Sequence, residues 1–196
     1  MLKIDLNNLA IGGVSAGAHL AAIVAQRCHA LSIPLCLQIL TVPATDLSFL
    51  SPEDYSLPSS CAYPSFLENR TAPCLPLERV QFFMHHLLGP HFPSPIPRAE
   101  PCILSPEVEL SPIKAETGSL RGLAPAMVST ADVDVLRDQG ELYARRLEEE
   151  GVRVKVRRFM GVAHPFMFMD EALPQAREYI QDCVDILKTV FAGGSI

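Results

Sequence analysis

The stretch Ile11–Leu20, IGGVSAGAHL, is a short apolar run that ends in glycines and passes at once into a helical pattern. Within it, residues 13–17 fit the pattern G-x-S-x-G, in which a serine lies on a strained turn between a strand and a helix. The flanking glycines leave room for the tight backbone of such a turn. Ser15 is therefore the candidate nucleophile, although small residues also build tight strand-to-helix turns that have no catalytic role.

The residues after Ser15 show helical spacing, and we predict a helix over residues 16–30. The first amides of a helix have no intrahelical acceptor, and the helix dipole favours negative charge at this end. The backbone N–H of Ala16 is therefore a candidate donor to an oxyanion that forms at Ser15.

Composition limits the class of protein. The chain has 196 residues, of which 48% are hydrophobic and 19% are charged, and these values are typical of one globular domain over residues 1–196. The net charge of −6 argues against a nucleic-acid partner, since no basic cluster stands out beyond the short alternation at residues 153–158, which is typical of a strand. No apolar stretch is long enough to span a membrane.

The cysteines and the N-terminus favour an intracellular, reduced setting, and we predict a cytoplasmic protein. Six cysteines show no paired spacing, although a pairing of Cys61 with Cys74 stays open. Residues 69–71, Asn-Arg-Thr, match a glycosylation sequon, which has a meaning only in a secreted protein.

The pattern of apolar runs predicts an α/β fold with a mostly parallel sheet of about four strands, flanked by helices. The predicted strands lie at residues 9–13, 36–42, 126–130 and 152–159. Helical spacing predicts helices over residues 16–30, 77–88, 137–150 and 174–191. The order of strand, helix and strand at the start indicates a right-handed parallel crossover.

Residues 48–101 differ from the rest of the chain because they are rich in proline and serine and, outside the helix predicted at 77–88, show little periodicity. We predict a loop-rich insertion here, which serves either as a cap over the substrate or as a passive surface loop. Three histidines, His85, His86 and His91, lack a carboxylate or cysteine at ligand spacing, so we predict no metal and no cofactor.

A candidate triad follows from the ends of the predicted strands. Ser15, an acid in the loop at residues 132–138 and His164 occur in the order nucleophile, acid, base. Residue chemistry alone leaves the acid open between Asp132, Asp134 and Asp138. We expect His19 to have a packing role, because it lies on the helix of the nucleophile itself.

These motifs resemble those of the hormone-sensitive-lipase-like esterases, the α/β-hydrolase fold-3 group, and especially its fungal members. The matching segments are residues 13–17, 133–140 (VDVLRDQG) and 161–166 (GVAHPF). The resemblance implies a partial α/β-hydrolase fold, with Ser15 as the nucleophile, Asp134 as the acid and His164 as the base. It also implies the N–H of Ala16 as an oxyanion donor.

The chain resembles the C-terminal portion of such an enzyme, because residues 1–10 contain no His-Gly-Gly oxyanion loop. Loss of one oxyanion donor costs about 10² to 10³ in turnover. The strand before Ser15 would then be an open edge, which favours aggregation or a homo-oligomer formed through exposed sheet edges.

Three hypotheses of function follow. The first is a serine esterase that cleaves esters of small acyl groups, with a role in secondary metabolism as one expectation. Phe66, Phe82 and Phe83 are candidate pocket residues, although aromatic residues in a helix more often belong to the core. The second is a weak or inactive truncated hydrolase that serves as a binding or interaction protein. The third is the catalytic part of a serine peptidase of related fold, since a triad alone does not exclude peptide cleavage.

Overall fold

The structure is a computed structural model that describes residue 5 and residues 8–48, 62–88 and 104–196. Its centre is a parallel sheet of four strands in the order β1-β2-β3-β4. The strands are β1 (Ala10–Val14), β2 (Leu37–Thr41), β3 (Ala126–Val133) and β4 (Val154–Ala163). The predicted fold class, a parallel sheet of about four strands, is therefore confirmed.

Helices connect the strands and cover both faces of the sheet. They are α1 (Ala16–Ala30), α2 (Pro64–Glu68), α3 (Leu77–Leu88), α4 (Pro106–Leu110), α5 (Arg137–Glu149) and α6 (Pro174–Phe191). Short 3-10 turns lie at Pro112–Lys114 and Phe166–Phe168. The helices predicted at 16–30, 77–88 and 174–191 have the bounds that the sequence indicated.

The alternation of side chains along the strands produces two cores. On one face, Leu40 and Val128 pack with Ala22 of α1 and Tyr143 of α5, all of them buried. On the other face, residues one position earlier in each strand, such as Met127, pack with α6. Because both faces are covered, the central strands β2 and β3 are buried along most of their length. The polar residues of these two strands are buried as well: Gln38, Thr41, Ser129 and Thr130.

The strand β4 is longer than the sequence predicted. The observed strand continues through Gly161, which has a positive φ of 70°, and ends at Ala163. The sequence predicts a strand that ends at residue 159, followed by a loop. An irregularity between Ala131 and Val133 shifts the register, so that Val133 pairs with Ala163. Because of this shift, β3 and β4 end together immediately before Asp134 and His164.

β1 forms one edge of the sheet and pairs only with β2 among the described strands. Beside it, Leu20 and Val24 of α1 are exposed. The homo-oligomer through exposed edges stays a prediction. Within the described ranges, no helix has the length and apolar character to cross a membrane.

The predicted insertion at residues 48–101 is described only in part. Its described residues, mainly 62–88, contain α2 and α3, while the proline-rich stretch at 90–101 lies outside the described residues, as do His91 and Cys61. Cys74 is a free, exposed cysteine. The assignment of one domain with an internal insertion stays a prediction.

Candidate active site

The turn between β1 and α1 holds Ser15 in a strained conformation. Ser15 has φ 55° and ψ −119°, a region that residues other than glycine seldom occupy. Its amide donates to the carbonyl of Thr41 at 2.9 Å, and its carbonyl accepts from the amide of His19 at 3.0 Å. These bonds hold the serine between the end of the strand and the first turn of the helix, as expected for a nucleophile turn.

The two glycines of the G-x-S-x-G pattern have different roles. A Cβ at Gly13 would lie 2.2 Å from the carbonyl oxygen of Gly17, because the first turn of α1 passes directly over β1. A Cβ at Gly17 would meet no atom within 4 Å. Only Gly13 is therefore required for the close approach of helix and strand.

One of the three candidate acids, Asp134, forms a hydrogen bond with His164. Nδ1 of His164 donates to Oδ2 of Asp134 at 2.9 Å, and both side chains are buried. The other oxygen, Oδ1, accepts from the amide of Leu136 at 2.9 Å. With Nδ1 committed to the carboxylate, Nε2 is the nitrogen of His164 that is left for proton transfer.

The two neighbouring acids have other partners. Oδ2 of Asp132 accepts from the amide of Gly161 at 3.4 Å. Asp138 accepts from the amide of Ser65 at 2.7 Å and from Nε of Arg137 at 2.8 Å. Among Asp132, Asp134 and Asp138, the carboxylate that contacts His164 is that of Asp134.

Ser15 and His164 line the same cavity, which has a volume of about 480 Å³. Ala16, the first residue of α1, lies in its wall, so the helix N-terminus that we predicted as an oxyanion donor faces this space. The rest of the lining is almost entirely apolar: Ala44, Leu47, Leu75, Val80, Phe83, Met84, Leu87 and Leu136, together with His19. Such a cavity suits an apolar group next to a polar reacting atom.

Of the three predicted pocket aromatics, Phe83 lines the cavity. Phe66 is buried in a core cluster against Tyr63, with ring centroids 5.9 Å apart. Phe82 is exposed and contacts the ring of His86, with centroids 4.1 Å apart. The prediction that Phe66 and Phe82 line the cavity is therefore wrong. Phe66 packs in the core behind the cavity wall, in one cluster with Leu75 and Val80, and Phe82 is exposed to solvent.

His19 forms part of the cavity wall, where its Nδ1 lies 2.7 Å from the carbonyl oxygen of Ala44. Burial lowers the pKa of His19, while hydrogen bonds to Ala44 and to the backbone of Glu109 partly offset that effect. This agrees with the predicted packing role, since a buried imidazole that bonds a carbonyl joins α1 to the segment after β2.

We expect the low pKa of His19 to make the fold sensitive to acid. The unfolded chain binds a proton at His19 more readily than the folded chain, so stability is present above the unfolded pKa and falls as the pH falls below it. Between about pH 7 and pH 5 this loss is at most about 2 kcal/mol. Urea unfolding at both pH values should show that His19→Asn, which keeps a donor toward Ala44, loses less free energy of unfolding between about pH 7 and pH 5 than the wild type does.

The matched control for this prediction is His29→Asn, since His29 is exposed. If the wild type and His19→Asn lost equal free energy of unfolding between about pH 7 and pH 5, His19 would not be the cause of the acid sensitivity.

Sequence reasoning missed Leu136, whose amide fixes the acid. Asp and Asn side chains often bond the backbone two residues further on, so the spacing of Asp134 and Leu136 is the signal that could have found this bond.

Comparisons with known proteins identify the family of the chain. Residues 1–168 match the family described as alpha/beta hydrolase fold. The chain therefore belongs to this family, and the resemblance to hormone-sensitive-lipase-like esterases is confirmed.

Among curated relatives, ethyl acetate hydrolase of Pseudomonas putida is 31% identical over 190 residues, which cover 95% of this chain and 52% of that protein. An AB hydrolase superfamily protein of Schizosaccharomyces pombe is 28% identical over 194 residues, 97% of this chain and 51% of that protein.

Among solved structures, carboxyl esterase 2 of the mycorrhizal fungus Tuber melanosporum superposes with a TM-score of 0.75 at 27% identity, covering 95% of this chain and 54% of that one. The chain thus spans about half the length of the relatives that it matches.

Proposed function

We propose that this chain provides the catalytic triad of a serine hydrolase that cleaves carboxylic esters of small acyl groups. The observation that supports the proposal best is that Ser15 and His164 line one apolar cavity, while Asp134 holds His164 through Nδ1. Nucleophile, base and orienting acid are the three roles that acyl transfer requires.

The mechanism proceeds through an acyl-enzyme. Oγ of Ser15 attacks the ester carbonyl carbon while Nε2 of His164 takes the hydroxyl proton, and Asp134 stabilises the imidazolium that results. The carbonyl oxygen becomes an oxyanion, which the N–H of Ala16 binds at the N-terminus of α1. The bond to the alcohol then breaks, and the alcohol leaves with the proton from His164.

Water completes the cycle. His164 takes a proton from the water as the hydroxide attacks the acyl carbon, and the proton returns to Ser15 as the carboxylic acid leaves. Every step is a proton transfer or an acyl transfer between these groups, so no cofactor is required.

The apolar lining supports an acyl group as the part of the substrate that enters the cavity. Relatives named ethyl acetate hydrolase and carboxylesterase support the ester class. A role in secondary metabolism and a cytoplasmic location stay predictions.

We test the proposal with p-nitrophenyl acetate and butyrate, comparing the wild type with Asp134→Asn and Asp132→Asn. Asp134→Asn should lower kcat by about 10⁴-fold, because an amide at this position favours the wrong tautomer of His164. Asp132→Asn is the matched control, since its carboxylate contacts Gly161 and not His164. Equal losses in the two variants, or none in either, would refute the role of Asp134.

The alternative is a binding protein on the same scaffold. The observation that favours it is the almost entirely apolar lining of the cavity of about 480 Å³, which suits a bound apolar ligand as well as an acyl group. A folded chain whose ester turnover does not depend on Ser15 would favour this alternative.

A further inference from the structure

A second set of polar contacts holds the loop that carries Asp134. Ser65 and Asn69, at the start and end of α2, bond the loop at residues 132–138. We name these contacts the acid-loop clasp.

Asn69 makes the contacts of the clasp that are nearest to the acid. Its Nδ2 donates to the carbonyl oxygen of Asp134 at 3.0 Å and to that of Asp132 at 3.2 Å. Asn69 is buried, with 9% of its surface exposed. A single amide nitrogen therefore bonds the loop on both sides of residue 133, and a buried amide keeps such bonds because leaving them unmade is costly.

Ser65 extends the clasp to the other end of the loop. Its Oγ donates to the carbonyl of Val135 at 2.8 Å and accepts from the amide of Asp138 at 3.3 Å. Its amide donates to Oδ2 of Asp138 at 2.7 Å. The turn that presents Asp134 is thus bonded at each end by α2.

The clasp joins the acid to the wall of the cavity. α2 belongs to the same part of the chain as α3 and the residues just before it, from which Leu75, Val80 and Phe83 line the cavity. The buried core beneath α2 and α3 also contains Val135 and Leu136 of the acid loop. The segment that shapes the substrate space and the loop that holds the acid therefore share both a core and a set of hydrogen bonds.

We propose that Asn69 is a positioning residue for Asp134, and that through it the α2 segment sets the geometry of the triad. This inference rests on the proposed function. Asn69 contacts backbone oxygens of the acid loop, and the side chain of Asp134 in turn contacts His164. The sequon at residues 69–71 thus has its asparagine engaged inside the fold: the nitrogen that would receive a glycan already donates to two carbonyls.

The test compares Asn69→Ala, Asn69→Asp and the control Arg70→Gln. Asn69→Asp keeps the size of the side chain but replaces the donor by an acceptor, and Arg70 is the exposed neighbour of Asn69. With p-nitrophenyl butyrate we expect kcat to fall about tenfold in both Asn69 variants, with KM within about twofold of the wild type, because the bonds fix the acid and do not touch substrate. Arg70→Gln should keep both constants.

A double-mutant cycle separates positioning from general support of the fold. If Asn69 acts through Asp134, Asn69→Ala should cause no further loss of kcat in an Asp134→Asn background. Multiplicative losses would overturn the inference, as would an Asn69→Ala variant that keeps the wild-type kcat. Failure of both Asn69 variants to fold would overturn it as well, because the role would then be structural.

Proton NMR gives a readout that does not need turnover. The Nδ1 proton of His164 that bonds Asp134 should give a far-downfield resonance, assigned by its loss in Asp134→Asn. We expect this resonance to shift or broaden in Asn69→Ala and to stay unchanged in Arg70→Gln. If the wild type shows no Ser15-dependent turnover, the proposed function fails, and this resonance still decides the inference: an unchanged line in Asn69→Ala overturns it.

Discussion

Ser15→Ala should lower the turnover of p-nitrophenyl butyrate by about 10⁶-fold, to the level set by binding and by the remaining oxyanion donor. The reason is that Ser15 is the only serine that lines the cavity with His164 among the described residues, so its loss removes the covalent step. The same change should abolish labelling by a fluorophosphonate, which reacts with an activated serine.

Ser32→Ala is a matched control for this prediction. Ser32 is also a serine with a positive φ, 57°, but it lies after α1 at the opposite end of the helix from the site. Both variants replace a hydroxyl by hydrogen at a strained position, so they share any cost to the fold. Turnover that survives in Ser15→Ala, or that falls equally in Ser32→Ala, would show that Ser15 is not the nucleophile.

The sequence was most informative where the decisive contacts are local. The turn at Ser15 depends on residues within a few positions of it, and the bounds of α1, α3 and α6 follow from apolar periodicity and from the glycines and prolines that punctuate the chain. The order of nucleophile, acid and base was visible because parallel strands place their carboxyl ends at one edge of the sheet.

The sequence was less informative where partners lie far apart along the chain. Residue chemistry alone left three acids open, and the family resemblance was needed to select Asp134, whose contact with His164 spans 30 residues. The contacts of Asn69 were even harder to predict, because its partners are backbone carbonyl oxygens 63 and 65 residues away. Every residue has a backbone carbonyl, so the sequence does not indicate which of them Asn69 bonds.

The extension of β4 has a similar cause. A positive φ at Gly161 usually indicates a turn, but pairing of Val133 with Ala163 across a register shift keeps the segment in the sheet. The pairing of β3 with β4 thus prevails over the local tendency of Gly161 to form a turn. As a result, His164 comes directly after the end of β4, with no loop between them.

Gly13→Ala should destabilise the fold by about 4 kcal/mol or more, a large part of the stability of a domain of this size. The new methyl group would lie 2.2 Å from the carbonyl oxygen and 2.3 Å from the carbonyl carbon of Gly17. Because both are backbone atoms, no side-chain rotation relieves the clash, and α1 would have to move away from β1. Urea unfolding followed by circular dichroism measures the loss.

Gly17→Ala makes the same chemical change in the other glycine of the motif, and it should raise the free energy of unfolding by up to about 1 kcal/mol. Its Cβ meets no atom within 4 Å, and alanine is a better helix former than glycine. If both variants lost stability equally, the cause would be the turn conformation as a whole. If only Gly13→Ala does so, the close crossing of α1 over β1 is what holds Ser15 above the sheet, and the glycine before the nucleophile is the one that the fold requires.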